Sequence, residues 1–316
     1  MEKTQSCDKK VTEKRVAVVG AGGVGGYLAG MLGRVCPHLT IAARGRRKEA
    51  LEKNGLVLHS EYKGEITVRP ARVARTTELG EQDIIFICVK NYSLEEVCRE
   101  ITPAVKEDTI LIPVMNGVNP GERVRALLGK GKVVDALIYI VSFSNEDYSI
   151  TQQGNFARLC VGVKGGARKE QVDEAAALLA AADIDVTKAE DIEVEIWRKY
   201  ILNCAYNVTT AYYDNDIGQL RADKKKTEEY EALVREAEQV ALAKGVAIKK
   251  EHIDAIIERF HHGYADNATS SLQRDVRARR RSEADVFSGY IVREAKKLGI
   301  SVPVSEKMYR KLRQFQ

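Results

Sequence analysis

Short runs of unbroken apolar residues punctuate the first half of the chain. RVAVVG, beginning at Arg15, runs straight into a glycine cluster, and the YLAGMLGRV behind it repeats its apolar positions at helical spacing. That pattern predicts a strand, a tight turn and a helix. It continues through LTIAAR, a helix near RRKEALEKNG, the strand-like DIIFICV, the helical SLEEVCREITPAV and the strand TILIPVM. Strands that are apolar throughout and alternate with helices predict a doubly wound parallel sheet covered on both faces. From about residue 185 the pattern changes to long charged-and-apolar stretches, EVEIWRKYILNCAYNVTTAYY and TEEYEALVREAEQVALAKG, which predict a mainly helical second half. The boundary is expected near residues 183 to 190, where ADIDVTKAED carries a last short strand. The chain then divides into a polar arm at 1–14, an α/β domain at 15–187 and an all-helical domain at 188–316.

Length supports this division, because 316 residues can bury two substantial cores. With 44% hydrophobic and 30% charged residues, the chain is neither disordered nor fibrous in composition. A net charge of +5 suits an anionic cofactor or an acid substrate as well as a nucleic acid, so charge decides nothing. The densest charge run, RARRR at 277–281, reads as a solvated helix face. No nucleic-acid partner is expected, since no binding module accompanies the run. Cys7, Cys36, Cys88, Cys98, Cys160 and Cys204 show no C-x-x-C spacing, and Cys88 lies in an apolar run, so reduced thiols of a cytoplasmic protein are expected. There is no apolar run of about 18 residues, and MEKTQSCDKKVTEK has no apolar signal core, so neither a membrane nor a secreted location is expected. The five histidines and the scattered cysteines lack zinc-ligand spacing, which predicts metal-free chemistry.

The glycine cluster carries the first specific chemistry. Gly20, Gly22 and Gly25 form G-x-G-x-x-G, with Ala21, Gly23 and Val24 between them, directly after a strand and opening a helix. The first glycine permits the turn, the second lets backbone approach a pyrophosphate, and the third lets helix and strand pack closely. The helix N-terminus supplies N–H donors and a positive dipole to the phosphates. The plain alternative is a glycine-rich turn with no ligand; the strand-turn-helix context favours a Rossmann dinucleotide site. An NAD-specific site would end its second strand in an acid, but LTIAARGRRK ends in Ala43 and Arg44. A guanidinium there suits the 2′-phosphate of NADP(H). Arg44 is the leading candidate, while Arg46 and Arg47 either assist or are simply solvated.

A second constellation lies in WRKYILNCAYNV, where Lys199, Asn203 and Asn207 recur at i, i+4 and i+8 while Ile196, Ile201, Leu202, Cys204, Ala205 and Val208 occupy the other faces. A polar stripe so flanked suggests the wall of a sheltered polar cavity; the alternative is a solvated face. Desolvation lowers a lysine's pKa and eases proton donation to a developing alkoxide, so Lys199 is a candidate general acid. In TSSLQRDVRARRRSEADVFSG, Ser271, Asp275 and Glu283 share a face if the helix persists, although Asp275 fits the surface as readily.

These motifs, in this order, resemble the ketopantoate reductase family over nearly the whole chain: GAGGVGGYLAG, VKNYS, MNGVN, WRKYILNCAYNVTTA and SSLQRDVRARRRSE. The resemblance implies a Rossmann domain followed by a helical domain like that of 6-phosphogluconate dehydrogenase, with the active site in the cleft between them. It implies Lys199 as general acid and Glu283 as the carboxylate that helps bind substrate and supports catalysis. Lys90, in the loop after the fourth strand, would meet the cofactor. Asn116, at the carboxyl end of TILIPVMNG where such sheets open onto their crevice, would lie near nicotinamide and substrate. Asn203, Asn207 and Ser271 would orient the substrate.

The implied reaction is NADPH-dependent reduction of 2-dehydropantoate to (R)-pantoate in cytoplasmic pantothenate and coenzyme A synthesis, with a homodimer left open. Two positions depart from the family pattern: Ile217, before Gly218, and Ala268, three residues before Ser271, stand where asparagine is expected. Asn267 compensates if the register shifts by one. These losses keep open a second substrate, another small branched 2-keto acid. A catalytically idle NADP-sensing protein is the remaining alternative, and retention of Lys199 and Glu283 argues against it. There is no Y-x-x-x-K of the short-chain dehydrogenases.

Overall fold

The computed structural model describes residues 11–165 and 169–315. Most of the polar arm, with Cys7, lies outside the described residues. Contacts divide the chain into two units, Met1–Ile192 and Glu193–Gln316.

The first unit begins with β1 (Val16–Val19), α1 (Gly23–Leu32), β2 (Leu39–Ala42) and α2 (Gly45–Asn54), and continues with β3 (Leu56–Ser60), β4 (Gly64–Val68), β5 (Arg72–Ala74) and β6 (Ile84–Ile87). Then come α3 (Leu94–Ile101), β7 (Ile110–Pro113), α4 (Pro120–Leu128), β8 (Lys132–Val133), β9 (Asp135–Ser144), β10 (Ile150–Gly162), α5 (Lys169–Ala181) and β11 (Asp185–Lys188). Six strands form a parallel sheet in the order β5-β2-β1-β6-β7-β8, in which Val16 faces Leu39 on one side and Ile84 on the other. Every residue of β1, β2, β6 and β7 is buried, as expected for strands covered on both faces. β6, whose loop carries Lys90, is sixth in the chain and fourth across the sheet.

The second sheet is absent from the pattern-based reading. β9 and β10 form a long antiparallel ribbon, and β10 also pairs in parallel with β3 and β11, while β3 and β4 make a hairpin. β3 alternates buried and half-buried residues, so it carries no continuous apolar run of the kind that marks the first sheet. Helix α1 touches β1 and β2 of the first sheet and β3, β4, β9 and β10 of the second. That double cover explains why α1 is apolar all round, with Gly25 to Leu32 all buried. Its small residues matter here, since a Cβ on Gly26 would lie 2.4 Å from the Ile150 side chain.

The second unit contains α6 (Ile192–Tyr213), α7 (Ile217–Arg221), α8 (Lys224–Ala243), α9 (Lys250–Glu258), α10 (Ser271–Arg277), α11 (Tyr290–Leu298) and α12 (Pro303–Leu312), with π-helical turns at Arg259–Gly263 and Asp285–Gly289. Side chains start several of these helices. Asp216 caps α7 and Asp223 caps α8, while buried Glu236 on α8 accepts the Val304 and Ser305 N–H groups at the head of α12. Among the described residues no helix is long and apolar enough to cross a membrane. Cys36, Cys88, Cys98, Cys160 and Cys204 are free thiols, and burial pushes Cys36 up to about 12 and Cys98 to about 11, which leaves both unreactive.

Candidate active site

In the first unit, β1 ends at Val19 and Gly20 turns the chain with φ +96°, where a Cβ would sit 2.8 Å from Val89 and 2.9 Å from the Cys88 backbone. Gly25 is excluded from larger residues by packing: a Cβ there would lie 2.0 Å from the Gly20 carbonyl oxygen and 2.9 Å from Cys88 Cβ. Gly22 is different, because a Cβ there would meet no protein atom within 4 Å. The space in front of it is open. Gly22 also starts α1 without a side-chain cap, and no acid occupies the first turn. Open space beside an uncapped helix start suits a dinucleotide pyrophosphate.

The three arginines after β2 separate into two kinds. Arg44 is 81% exposed and only 3.9 Å from exposed Glu96, a pair of little strength, and Arg46 is exposed. Arg47 is half-buried: its guanidinium donates to the Ala21 carbonyl at 2.5 Å and to Ser144 Oγ at 3.0 Å, and lies 5.0 Å from the Tyr148 ring centroid. The solvated option therefore fits Arg46 and fails for Arg47, which ties the glycine turn to the β9–β10 ribbon.

At the carboxyl ends of β6 and β7, Lys90 and Asn116 occupy neighbouring loops. Buried Asn91 joins these loops by donating its side-chain N–H to the Asn116 carbonyl at 2.9 Å. Arg123 of α4 donates in turn to Asn91 Oδ1 at 3.2 Å.

In the second unit, the whole polar stripe lies on α6. Asn207 is buried and donates to Asn203 Oδ1 at 3.3 Å, and its own Oδ1 accepts from Ser271 Oγ at 3.2 Å and from the Leu272 N–H at 3.4 Å. Asn203, Asn207 and Ser271 thus form one hydrogen-bonded chain, fixed where α10 starts against α6. Lys199, two turns before Asn207, is half-buried. Burial depresses its pKa from 10.5 to about 8, and the negative charge of Glu283 partly opposes that fall. Glu283 itself is 5% exposed.

The expected single helical face for Ser271, Asp275 and Glu283 does not form. α10 stops at Arg277, Arg279 takes the left-handed conformation at φ +48°, and Glu283 lies on the irregular segment beyond. Asp275 pairs with Arg280 at 3.2 Å. The run at 277–281 is solvent-exposed as expected, but it forms a helix end and turn instead of a helix face. At the two departing positions, the buried Ile217 donates its backbone N–H to the Ala268 carbonyl at 3.2 Å, and Asn267 is exposed.

The family model described as ketopantoate reductase PanE/ApbA matches residues 16–165, and its C-terminal counterpart matches residues 191–316. The chain belongs to the ketopantoate reductase family. An uncharacterized oxidoreductase of Bacillus subtilis is 29% identical over 95% of this chain and 98% of its own length. A 2-dehydropantoate 2-reductase of Pyrococcus horikoshii is 24% identical over 92% of this chain and 94% of its own. Among solved structures, a PanE/ApbA family ketopantoate reductase from Ralstonia eutropha superposes with a TM-score of 0.86, at 27% identity, over 95% of this chain and 97% of that one. An oxidoreductase with an N-terminal Rossmann-type sheet and a C-terminal helical domain is what this family membership supports.

Sequence reasoning passed over Asn91 and left the role of Arg47 open. Asn91 had a usable signal, a polar residue directly after Lys90 at the carboxyl end of a parallel strand. For Arg47 the pattern could not choose between the two options, because Ser144 and Tyr148, which hold it beside Ala21, come from a ribbon that the pattern did not reveal.

Proposed function

We propose that this member of the family is an NADPH-dependent 2-dehydropantoate 2-reductase forming (R)-pantoate. The observation that carries the reading is the second-unit cluster: half-buried Lys199, its ammonium facing the charge of buried Glu283, in line with the hydrogen-bonded Asn203, Asn207 and Ser271. Lys199 Nζ then donates the proton to the nascent alkoxide oxygen, and a pKa near neutrality suits that task. Glu283 keeps the ammonium charged and contacts substrate, and the three polar side chains orient the substrate. Gly20 to Gly25 fit the pyrophosphate, Arg44 the 2′-phosphate, and Lys90 and Asn116 the nicotinamide end. NADPH, when bound, supplies the hydride for the keto carbon. The reading places the protein in cytoplasmic pantothenate and coenzyme A synthesis, and the free thiols accord with a reducing compartment.

A second substrate reading, another branched 2-keto acid, is favoured by Ile217 and Ala268, whose backbones pair with each other and which offer no side-chain amide. Measuring NADPH oxidation over a panel of 2-keto acids tests both. The expected outcome is the highest kcat/KM for 2-dehydropantoate; a tenfold preference for another acid would transfer the assignment to that acid.

A further inference from the structure

Glu283 lies in a segment that no regular helix places. Between the end of α10 at Arg277 and the π-helical turn at Asp285–Gly289, the chain passes through the left-handed Arg279. Its position must be set by tethers. One is the Ser282 N–H, which donates to the Phe315 carbonyl at 2.6 Å. Asp285, in the same turn, accepts from Arg293 and, at 2.7 Å, from the Tyr309 hydroxyl, and a further tether comes from α6. The Tyr200 hydroxyl, adjacent in sequence to Lys199, lies 2.8 Å from the carbonyl oxygens of both Val286 and Phe287, and its single proton is shared between them. The Val286 and Phe287 N–H groups return to the Glu283 carbonyl at 2.9 and 3.4 Å. The pinned turn and the Glu283 backbone are therefore one unit.

We propose, building on the reading of Lys199 as proton donor, that Tyr200 is a positioning residue whose hydroxyl pins the Glu283 turn onto α6 and so holds the carboxylate against the ammonium of Lys199. The ring is itself fixed. Tyr200 is 2% exposed and makes edge contacts with Trp197 at 5.5 Å and Tyr290 at 5.9 Å between centroids. The titratable groups around its hydroxyl are Cys204, one turn along α6, and Tyr290 and Arg293 of α11. Burial raises the Tyr200 pKa well above 10, so the hydroxyl stays protonated and acts as a donor to the turn throughout the working range. The charge acting on Lys199 is that of Glu283, which raises its pKa against desolvation. A displaced Glu283 lets the Lys199 pKa fall.

The test compares the parent, Tyr200→Phe, Glu283→Gln and the double variant. Lys199 is titrated directly by the pH dependence of its trace acetylation, read at the peptide level by mass spectrometry, a measurement that needs no turnover. Tyr200→Phe is expected to lower the Lys199 pKa by roughly half to one unit and to move the alkaline limb of kcat down with it. Added to Glu283→Gln it should change the pKa no further, because both act through one carboxylate. Amide exchange should quicken across 283–290 in Tyr200→Phe, since that turn loses its tether to α6. An unchanged Lys199 titration in Tyr200→Phe, a fully additive shift in the double variant, or unaltered exchange at 283–290 would each overturn the proposal. A Lys199→Ala enzyme with normal turnover would instead sink the proton-donor reading, and the acetylation and exchange results would still decide whether Tyr200 positions Glu283.

Discussion

Lys199 shows how a single residue acquires a function from its surroundings. Its spacing from Asn203 and Asn207 is a property of the sequence, but its lowered pKa comes from burial, with Glu283 as the opposing influence. Ketone reduction consumes the protonated lysine, so turnover should hold below a pH of about 8 and fall above it by roughly tenfold per unit. Replacing Lys199 by alanine should lower kcat by about 10² to 10⁴-fold and remove this alkaline limb. Steady-state kinetics across pH, on protein shown to be folded, would check both. A loss of less than about threefold, some 0.7 kcal/mol of barrier, excludes Lys199 as the main donor. The stripe was legible because 3.6-residue periodicity places i, i+4 and i+8 together. The place of Glu283 was not, because Arg279 breaks the helix on which that reading relied.

At the scale of the element, the turn into α1 distinguishes glycines kept for packing from glycines kept for a ligand. Gly25→Ala would drive a Cβ to within 2.0 Å of the Gly20 carbonyl oxygen, backbone that has nowhere to go. It should destabilise the fold by roughly 1 to 3 kcal/mol, the usual cost of overpacking, and lose NADPH as well. Gly22→Ala meets nothing within 4 Å and has φ −81°, which alanine adopts freely. Its stability should stay within about 0.5 kcal/mol of the parent, as for an ordinary surface change, while NADPH affinity drops at least about tenfold because the methyl occupies the pyrophosphate's approach. Thermal unfolding and fluorescence titration of the two proteins would separate these roles, and equal behaviour would refute the division. The same helix marks a limit of pattern reading. That α1 is apolar all round signals a second covering layer, yet the strands supplying it, β3, β4, β9 and β10, combine buried positions with half-buried or exposed ones, and the β3–β4 and β9–β10 hairpins join where Leu58 pairs with the distant Ile150.

For the whole molecule, cofactor choice should be visible in global stability. A ligand at 100 times its Kd stabilises the folded state by about 2.7 kcal/mol. If Arg44 contributes a charge-assisted contact of about 1.5 to 3 kcal/mol to the 2′-phosphate, NADH at the same concentration should stabilise by less than about 1.5 kcal/mol. NADPH should therefore raise Tm clearly more than NADH, and Arg44→Ala should bring the two shifts together. Equal shifts in the parent protein would remove Arg44 from the site.

The sequence alone determined whatever depends on local spacing: the strand-turn-helix of the fingerprint, the missing acid after β2, the helical second half and the Lys199, Asn203, Asn207 stripe. These follow from backbone geometry over a few residues, which neighbours in the chain dictate. Only the tertiary structure decided the rest. It turned Arg47 inward onto Ala21, joined Lys90 and Asn116 through Asn91, linked Ser271 to Asn207, and tied the Glu283 turn to Tyr200. Each of these contacts spans some 25 to 90 residues of chain. Such pairs are selected by packing and by the cost of leaving a buried polar group unpartnered, and no local pattern encodes which distant segment will supply the partner.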